Sequence, residues 1–130
     1  MNIDTKLLDE LTAQAQSSPN FRMHYDLRNS SEDLSQRMLN AIEPDSVIPI
    51  HRHWESSETV IVIRGKIVEL FFDETGQVLE DTFEVDPSGP CFGVNVPKGK
   101  WHTIKSLESG TVIVEFKDGP YEILQPEDIL

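Results

Sequence analysis

The chain has little of what stabilises small secreted proteins or anchors proteins in membranes. It contains a single cysteine, Cys91, so no disulfide can form within the chain. Its longest apolar runs are the length of a strand, far short of the roughly 20 residues that a membrane-spanning helix needs. The first residues lack the basic and apolar regions of a signal peptide. These features predict a cytoplasmic protein with no membrane partner.

Basic residues are also scarce. The 11 lysines and arginines are outnumbered by 23 aspartates and glutamates, which gives a net charge of −12. A field of this sign repels polyanions at long range. The composition therefore predicts no nucleic-acid partner, and most acidic residues are expected to keep the surface well solvated.

The length and the apolar pattern predict one domain. A chain of 130 residues without internal repeats can bury a single core. Apolar residues recur at helical spacing near the amino terminus, where Asp4 or Asn2 can act as the N-cap. From Phe21 onward, short strands alternate with turn residues, a pattern typical of a sandwich or barrel. We divide the chain into a helix, a β-barrel and a carboxy-terminal tail, at residues 1–18, 20–121 and 122–130.

Three of the four histidines form a pattern with one carboxylate. Residues 46–53 are rich in β-branched residues and predict a strand, in which His51 and His53 project from the same face. Glu58 begins the next predicted strand after a short polar turn, so a hairpin brings its carboxylate back beside the two imidazoles. His102 opens a later predicted strand.

Three imidazoles and one carboxylate suit a divalent transition metal, whether iron, manganese, nickel, zinc, cobalt or copper. Four protein ligands leave one or two positions open if the metal is five- or six-coordinate. The alternative for an isolated His-x-His pair is two solvated or core histidines, and Glu55 is a competing carboxylate in the turn. The further spacing to Glu58, Gly65 and His102 favours a metal site.

These residues resemble the two motifs of the cupin superfamily. The matching positions are His51, His53, Glu58 and Gly65 in the first motif, and Pro97, Gly99 and His102 in the second. The resemblance implies an all-β fold, the double-stranded β-helix of the cupin or jelly-roll class, here with one N-terminal α-helix. It also implies that His51, His53, Glu58 and His102 bind the metal. Asp45, Cys91 and Ser106 depart from the general pattern at positions that affect turn geometry and pocket shape.

A closer resemblance runs from about Arg22 to Tyr121, and it is to the WbuC-type cupin-fold metalloproteins. The matching segments are residues 36–38, 50–53, 58–59, 71–76, 96–103 and 115–121. Members of that family are associated with bacterial surface-polysaccharide gene clusters. The resemblance therefore implies a bacterial metalloprotein with a carbohydrate-related small-molecule ligand, and it brings no particular reaction with it.

Three further residues are candidates for substrate binding. Arg22 and Arg37 lie before or within the matching segments, and a guanidinium at the pocket mouth would hold a carboxylate or phosphate. The alternative for each arginine is an ordinary ion pair. Tyr121 and Lys117 either close the pocket or simply pack and solvate. Trp54, beside a ligand histidine, either walls the site or packs in the ordinary way.

Two classes of function remain open at this point. The first is a small metalloenzyme, either an isomerase or epimerase, which needs a base near the open position, or a dioxygenase, which needs a redox-active metal. The second is a non-catalytic module that binds or senses a small ligand through the metal. A third possibility is a purely structural metal that only stabilises the barrel. Strand 60–63 and much of 111–116 are apolar on both faces, so the face outside the barrel must meet the helix or a second subunit. We expect a homodimer with two-fold symmetry.

Overall fold

The computed structural model describes residues 1–79 and 82–130. Helix α1 spans Thr5–Ser17. Its N-cap is Asp4, whose carboxylate accepts a hydrogen bond of 3.0 Å from the backbone N–H of Leu7, as N-cap side chains do. The predicted helix is thus confirmed. Within the described ranges, no helix is both long enough and apolar enough to cross a membrane.

Eight strands follow the helix and form two antiparallel sheets. They are β1 (Arg22–Asp26), β2 (Ser35–Ile42), β3 (Glu58–Arg64), β4 (Ile67–Phe72), β5 (Phe83–Val85), β6 (Gly93–Val96), β7 (Trp101–Ser106) and β8 (Val112–Asp118). The larger sheet has the order β1-β2-β8-β3-β6, and the smaller has the order β5-β4-β7. A 3-10 turn at Pro126–Asp128 lies near the end of the chain. The non-sequential strand orders are those of a rolled sandwich rather than a meander.

Two apolar clusters hold these layers together. The first joins the two sheets and consists of Ile42, Val60, Val62, Ile67, Val85, Ile104 and Ile113. The second lies under the helix and consists of Leu8, Leu11, Ala15, Leu39, Ala41 and Val112. Each large side chain buried in this way stabilises the fold by about 1.5–3 kcal/mol. The helix therefore covers part of the outer face of the five-stranded sheet.

The strand predicted across residues 46–53 is wrong. These residues form a loop, in which His51 makes only isolated bridges, to His102 and to Ile129. Pro49 has no N–H to donate to a sheet ladder, so a continuous strand is disfavoured here. The backbone of His51 still exchanges hydrogen bonds of 3.0 and 2.8 Å with that of His102, which fixes the loop against β7.

Residues 119–130, called the strap below, cross the mouth of the barrel. At its start, Gln36 Nε2 donates hydrogen bonds of 2.9 Å to the carbonyls of Gly119 and Pro120. At its end, the backbone N–H of Arg52 donates a hydrogen bond of 3.0 Å to the carbonyl of Asp128. The strap is thus tied to the barrel at both ends.

Candidate metal centre

His51, His53 and His102 converge on one point at the mouth of the barrel. One ring nitrogen from each lies within 4.8 Å of the corresponding nitrogens of the other two. The ring centroids of His51 and His102 are 4.4 Å apart, and those of His51 and His53 are 5.1 Å apart. Although a loop replaces the predicted strand, it brings His51 and His53 to His102 on β7.

Hydrogen bonds orient two of these imidazoles. His51 Nδ1 lies 2.8 Å from the carbonyl oxygen of Pro49, and His102 Nδ1 lies 2.7 Å from Glu69 Oε1. When Nδ1 carries the proton and donates it to these oxygens, Nε2 keeps its lone pair. His102 Nε2 is buried and has no hydrogen-bond partner in the described part of the chain. A buried nitrogen lone pair that receives no hydrogen bond can be satisfied by a metal ion.

Burial also keeps these imidazoles in the form that binds metals. Burial, assisted by the neighbouring His102, lowers the pKa of His51 to about 4. Burial likewise lowers the pKa of His102 to about 4, against the opposing charge of Glu58. Only the neutral imidazole can act as a ligand. The nitrogen donors of the cluster therefore fit a divalent transition metal.

Glu58 is the first residue of β3 and lies beside the cluster. Its Oε2 is 3.2 Å from His53 Nε2, and it stands outside the group formed by the three histidines. Burial alone would raise the pKa of Glu58, but the hydrogen bond with His53 and the charges of His102 and Lys117 outweigh burial and lower that pKa. The side chain is therefore a carboxylate that can approach a metal from the side of His53.

Glu69 is a functional candidate that the sequence analysis did not single out. It projects from β4 into the interior and is fully buried against His102. Burial, with the charge of Glu58 nearby, raises the pKa of Glu69 to about 9. The sequence offered one signal for this role, a lone acidic residue within the apolar run 67–72. A buried acid needs a partner, so such a residue indicates a polar contact in the interior.

The histidines open into a cavity of about 450 Å³. The cavity is also lined by polar and charged side chains, namely Arg22, Asn40, Glu115, Lys117 and Tyr121. Lys117 Nζ lies 3.3 Å from His53 Nδ1. Burial, with the charge of Glu58, raises the pKa of Glu115 to about 8. Two of the predicted substrate-binding residues, Arg22 and Tyr121, thus share the cavity with the histidines.

The third predicted substrate-binding residue, Arg37, lies elsewhere. Its Nη1 forms an ion pair of 3.2 Å with Asp33 Oδ2. It lines a separate small pocket of about 40 Å³ beside the main cavity. The structure therefore does not bring Arg37 together with the histidines.

The two tryptophans clamp an arginine. The guanidinium carbon of Arg52 lies 3.8 Å from the ring centroid of Trp54 and 4.1 Å from that of Trp101. Cation–π contacts with both rings hold the residue that separates His51 from His53. Arg52 Nη2 also donates a hydrogen bond of 3.3 Å to the carbonyl of Glu127 in the strap. The clamp therefore links the histidine loop to the strap.

Comparison with solved structures shows the fold. The capsular polysaccharide assembling protein CapF from Staphylococcus aureus is 20% identical, with a TM-score of 0.64 over 85% of this chain and 30% of that chain. KdgF from Halomonas sp. is 13% identical, with a TM-score of 0.61 over 80% and 84% of the two chains. A mutant of Bacillus subtilis oxalate decarboxylase OxdC is 20% identical, with a TM-score of 0.57 over 78% of this chain and 26% of that chain.

These neighbours are cupin-fold proteins, so the predicted jelly-roll barrel of the cupin class is confirmed. This chain spans less than a third of the length of CapF and of OxdC. Another structure of the Bacillus subtilis decarboxylase, with a TM-score of 0.54, concerns the Mn(II) centres of that enzyme.

Comparison of the sequence gives fewer matches than comparison of the structure. Comparison with the curated proteins gives no match. A family model described as "Domain of unknown function (DUF6016)" matches residues 3–83. Because this match covers more than half of the chain, the protein belongs to the DUF6016 family.

Proposed function

We propose that this protein is a metal-dependent cupin that binds a polar small molecule at an open coordination position. His51, His53, His102 and Glu58 would hold one divalent transition metal. The observation that carries the proposal is His102 Nε2, which is buried without a partner among the described residues inside the three-histidine cluster. The cavity of about 450 Å³ beside this cluster gives a ligand room.

The donor set supports a metal that remains reactive. Three neutral imidazoles and the single carboxylate of Glu58 leave positive charge on a divalent ion. Bound there, such an ion supplies Lewis-acid polarisation of a carbonyl or hydroxyl oxygen. Iron, manganese, nickel, zinc, cobalt and copper all accept these donors. The Mn(II) centres of the Bacillus subtilis decarboxylase support manganese as one of the candidates.

Proton-transfer groups in the cavity support an enzyme. An isomerase or epimerase needs a base near the open coordination position. Glu115 and Lys117 line the same cavity as the histidines, and both lie on β8, which is paired along its length with β2 and β3. A rigid sheet can hold such groups in a fixed orientation. A non-catalytic binding module would use the metal and Arg22 but would not depend on Glu115.

Family resemblance supports a carbohydrate-related ligand. The WbuC-type proteins are associated with bacterial surface-polysaccharide gene clusters, and CapF is a capsular polysaccharide assembling protein. We propose that this chain is a bacterial, cytoplasmic cupin of polysaccharide metabolism, with Arg22 and Tyr121 as the residues that contact the ligand. Arg37 would support the neighbouring pocket wall through its ion pair with Asp33.

An exposed apolar surface supports the predicted homodimer. Ile61 is 38% exposed and Phe116 is 42% exposed. Both lie on paired strands of the five-stranded sheet, β3 and β8, which makes this face a suitable contact for a second copy. Light scattering after size exclusion would show a dimer of the wild type and a monomer of Phe116→Asp. A monomeric wild type would contradict this assembly.

Reconstitution with Co²⁺ tests the open coordination position. The protein loaded with Co²⁺ should show visible ligand-field bands, and azide should shift them by occupying the open position. His102→Ala should lose the bands, whereas His24→Ala, changed at an exposed histidine outside the cluster, should keep them. Bands of tetrahedral type that azide does not change would indicate a closed structural site and would contradict the proposal.

A further inference from the structure

Arg22 has no acidic partner among the described residues, whereas three of the other four arginines have one. Arg28, Arg37 and Arg64 form ion pairs of 2.8, 3.2 and 2.7 Å with aspartates. Arg22 forms none with any described carboxylate, although the chain contains 23 acidic residues. Its Nη1 instead donates hydrogen bonds of 3.0 Å to two neutral acceptors, the Ser46 hydroxyl and the Val47 carbonyl.

Arg22 lies at the wall of the cavity, and two of its guanidinium nitrogens have no partner among the described residues. Arg22 is half-buried and lines the same cavity as the histidines. Its Nε and Nη2 donate no hydrogen bond within residues 1–79 and 82–130. Burial lowers the pKa of Arg22, against the opposing charge of Glu115. A half-buried cation without a counter-ion is costly, and an anionic ligand would offset that cost.

A second cation and an orphaned acceptor line the same cavity. Lys117 contacts His53 and forms no ion pair with a carboxylate in the described part of the chain. Asn40 Oδ1 is buried and accepts no hydrogen bond from any described residue. The cavity therefore offers positive groups to an anion and one acceptor to a donor such as a hydroxyl.

The acidic lining limits the charge of this anion. Glu58 and Glu122 line the same cavity, as does Glu115, whose carboxyl is mostly uncharged at neutral pH because burial raises its pKa to about 8. A singly charged carboxylate would meet less repulsion from them than a phosphate dianion would. The guanidinium fork matches the two oxygens of a carboxylate. A cavity of about 450 Å³ is within the size range of small-molecule sites.

We infer that the ligand of this cavity is a hydroxylated carboxylate of the sugar-acid class. Its carboxylate lies on the free edge of Arg22, a hydroxyl donates to Asn40 Oδ1, and another oxygen faces the histidine cluster. This inference rests on the proposed function, because it places the ligand beside the proposed metal.

Calorimetric titration of the metal-loaded protein tests the ligand class. The probes are hydroxycarboxylates from glycolate to D-glucuronate, the neutral counterparts ethylene glycol and D-glucose, and D-glucose 6-phosphate. We expect the carboxylates to bind. The neutral counterparts should bind with roughly ten- to a hundredfold lower affinity, which is the loss expected for one charge-assisted contact. The phosphate should bind more weakly than glucuronate. Equal binding of acids and neutral sugars, preference for the phosphate, or no binding of any carboxylate would overturn the inference.

Variants of two arginines test the role of Arg22. Arg22→Gln should lose the preference for carboxylates, whereas Arg37→Gln, changed at the arginine paired with Asp33 outside the cavity, should keep it. Arg22→Lys retains the charge and should retain part of the preference. This variant keeps the test informative if Arg22→Gln fails to fold. Metal content should stay unchanged in all three variants. An equal loss from Arg37→Gln would overturn the assignment to Arg22, whereas absence of metal from the wild type would instead indicate failure of the proposed function.

Discussion

Glu69 Oε1 lies 2.7 Å from His102 Nδ1, and both side chains are closed to solvent. The contact joins β4 to β7, which are paired through Phe71 and His102. Burial disfavours the charged form of each partner, so it lowers the pKa of His102 and raises that of Glu69. The hydrogen bond fixes the plane of the imidazole and directs Nε2 toward the other two histidines.

Glu69→Gln should weaken metal binding while the fold is retained. A bound metal ion favours the ionised form of Glu69. The amide keeps the shape of the side chain but accepts a weaker hydrogen bond from the imidazole N–H than that carboxylate does. Loss of such an outer-shell partner typically lowers metal affinity by roughly 10- to 100-fold. Competition with a chromophoric chelator would measure the change. Glu84→Gln, at an exposed position of β5, is the matched control and should leave the affinity unchanged. Equal affinities for the two variants would contradict a positioning role for Glu69.

Removal of residues 126–130 should speed metal release. The deletion removes the bridge between Ile129 and His51, and the hydrogen bond between Asp128 and Arg52. Each lost hydrogen bond costs about 0.5–1.5 kcal/mol, so release should accelerate roughly tenfold. Stopped-flow mixing with excess chelator would measure the rate. Deletion of residues 1–2, which are exposed, should leave the rate unchanged. Unchanged release from the shortened strap would show that the strap does not cover the site.

Because of Glu43, the free energy of unfolding should depend on pH in the acid range. Burial tends to raise the pKa of this carboxyl, but hydrogen bonds from Ser109, Gly110 and Gln16 outweigh burial and lower it. Because the pKa is lower in the folded state, the stabilisation is present above the unfolded value of 4.5 and is lost as pH falls through the folded pKa.

Glu43→Gln should therefore unfold more easily by about 1–3 kcal/mol at neutral pH. The difference from wild type should shrink as pH falls below the unfolded value of 4.5 toward the lowered pKa of the folded state. Urea unfolding at a series of pH values would measure it. Glu10→Gln, at an exposed helix position, should differ little from wild type at any pH. A difference that grows on acidification would contradict this account of Glu43.

Gly65→Ala should destabilise the barrel strongly. Gly65 has φ +83, and an added Cβ would lie 2.7 Å from Thr111 Cα. The left-handed backbone alone costs a non-glycine residue about 1–2 kcal/mol, and the clash adds to that cost. Gly119→Ala is the matched control, because its φ is +93 and nothing lies within 4 Å of the added carbon. Equal free energies of unfolding for the two variants would show that close packing against Thr111 is unimportant.

The convergence of the histidines could be predicted from spacing, because His51, His53 and His102 carry a motif whose geometry the fold reproduces. The local structure of residues 46–53 could not, since a β-branched run that contains Pro49 reads as a strand until its neighbours are known. Glu69 and Arg52 were missed for a related reason. Each gains its role from partners far away in sequence, 33 residues away for Glu69 and 75 residues away for Arg52. The path of the strap likewise depends on contacts that no local pattern encodes.

Elemental analysis of untagged protein, purified without chelator, tests the central claim most directly. We predict about one divalent transition metal per chain, since the three histidines form a single cluster. His102→Ala should lose the metal and keep its circular dichroism spectrum, and His24→Ala should keep both. Wild-type protein that contains no transition metal, even after incubation with each of the six candidate ions, would contradict the assignment of His51, His53, Glu58 and His102 as ligands.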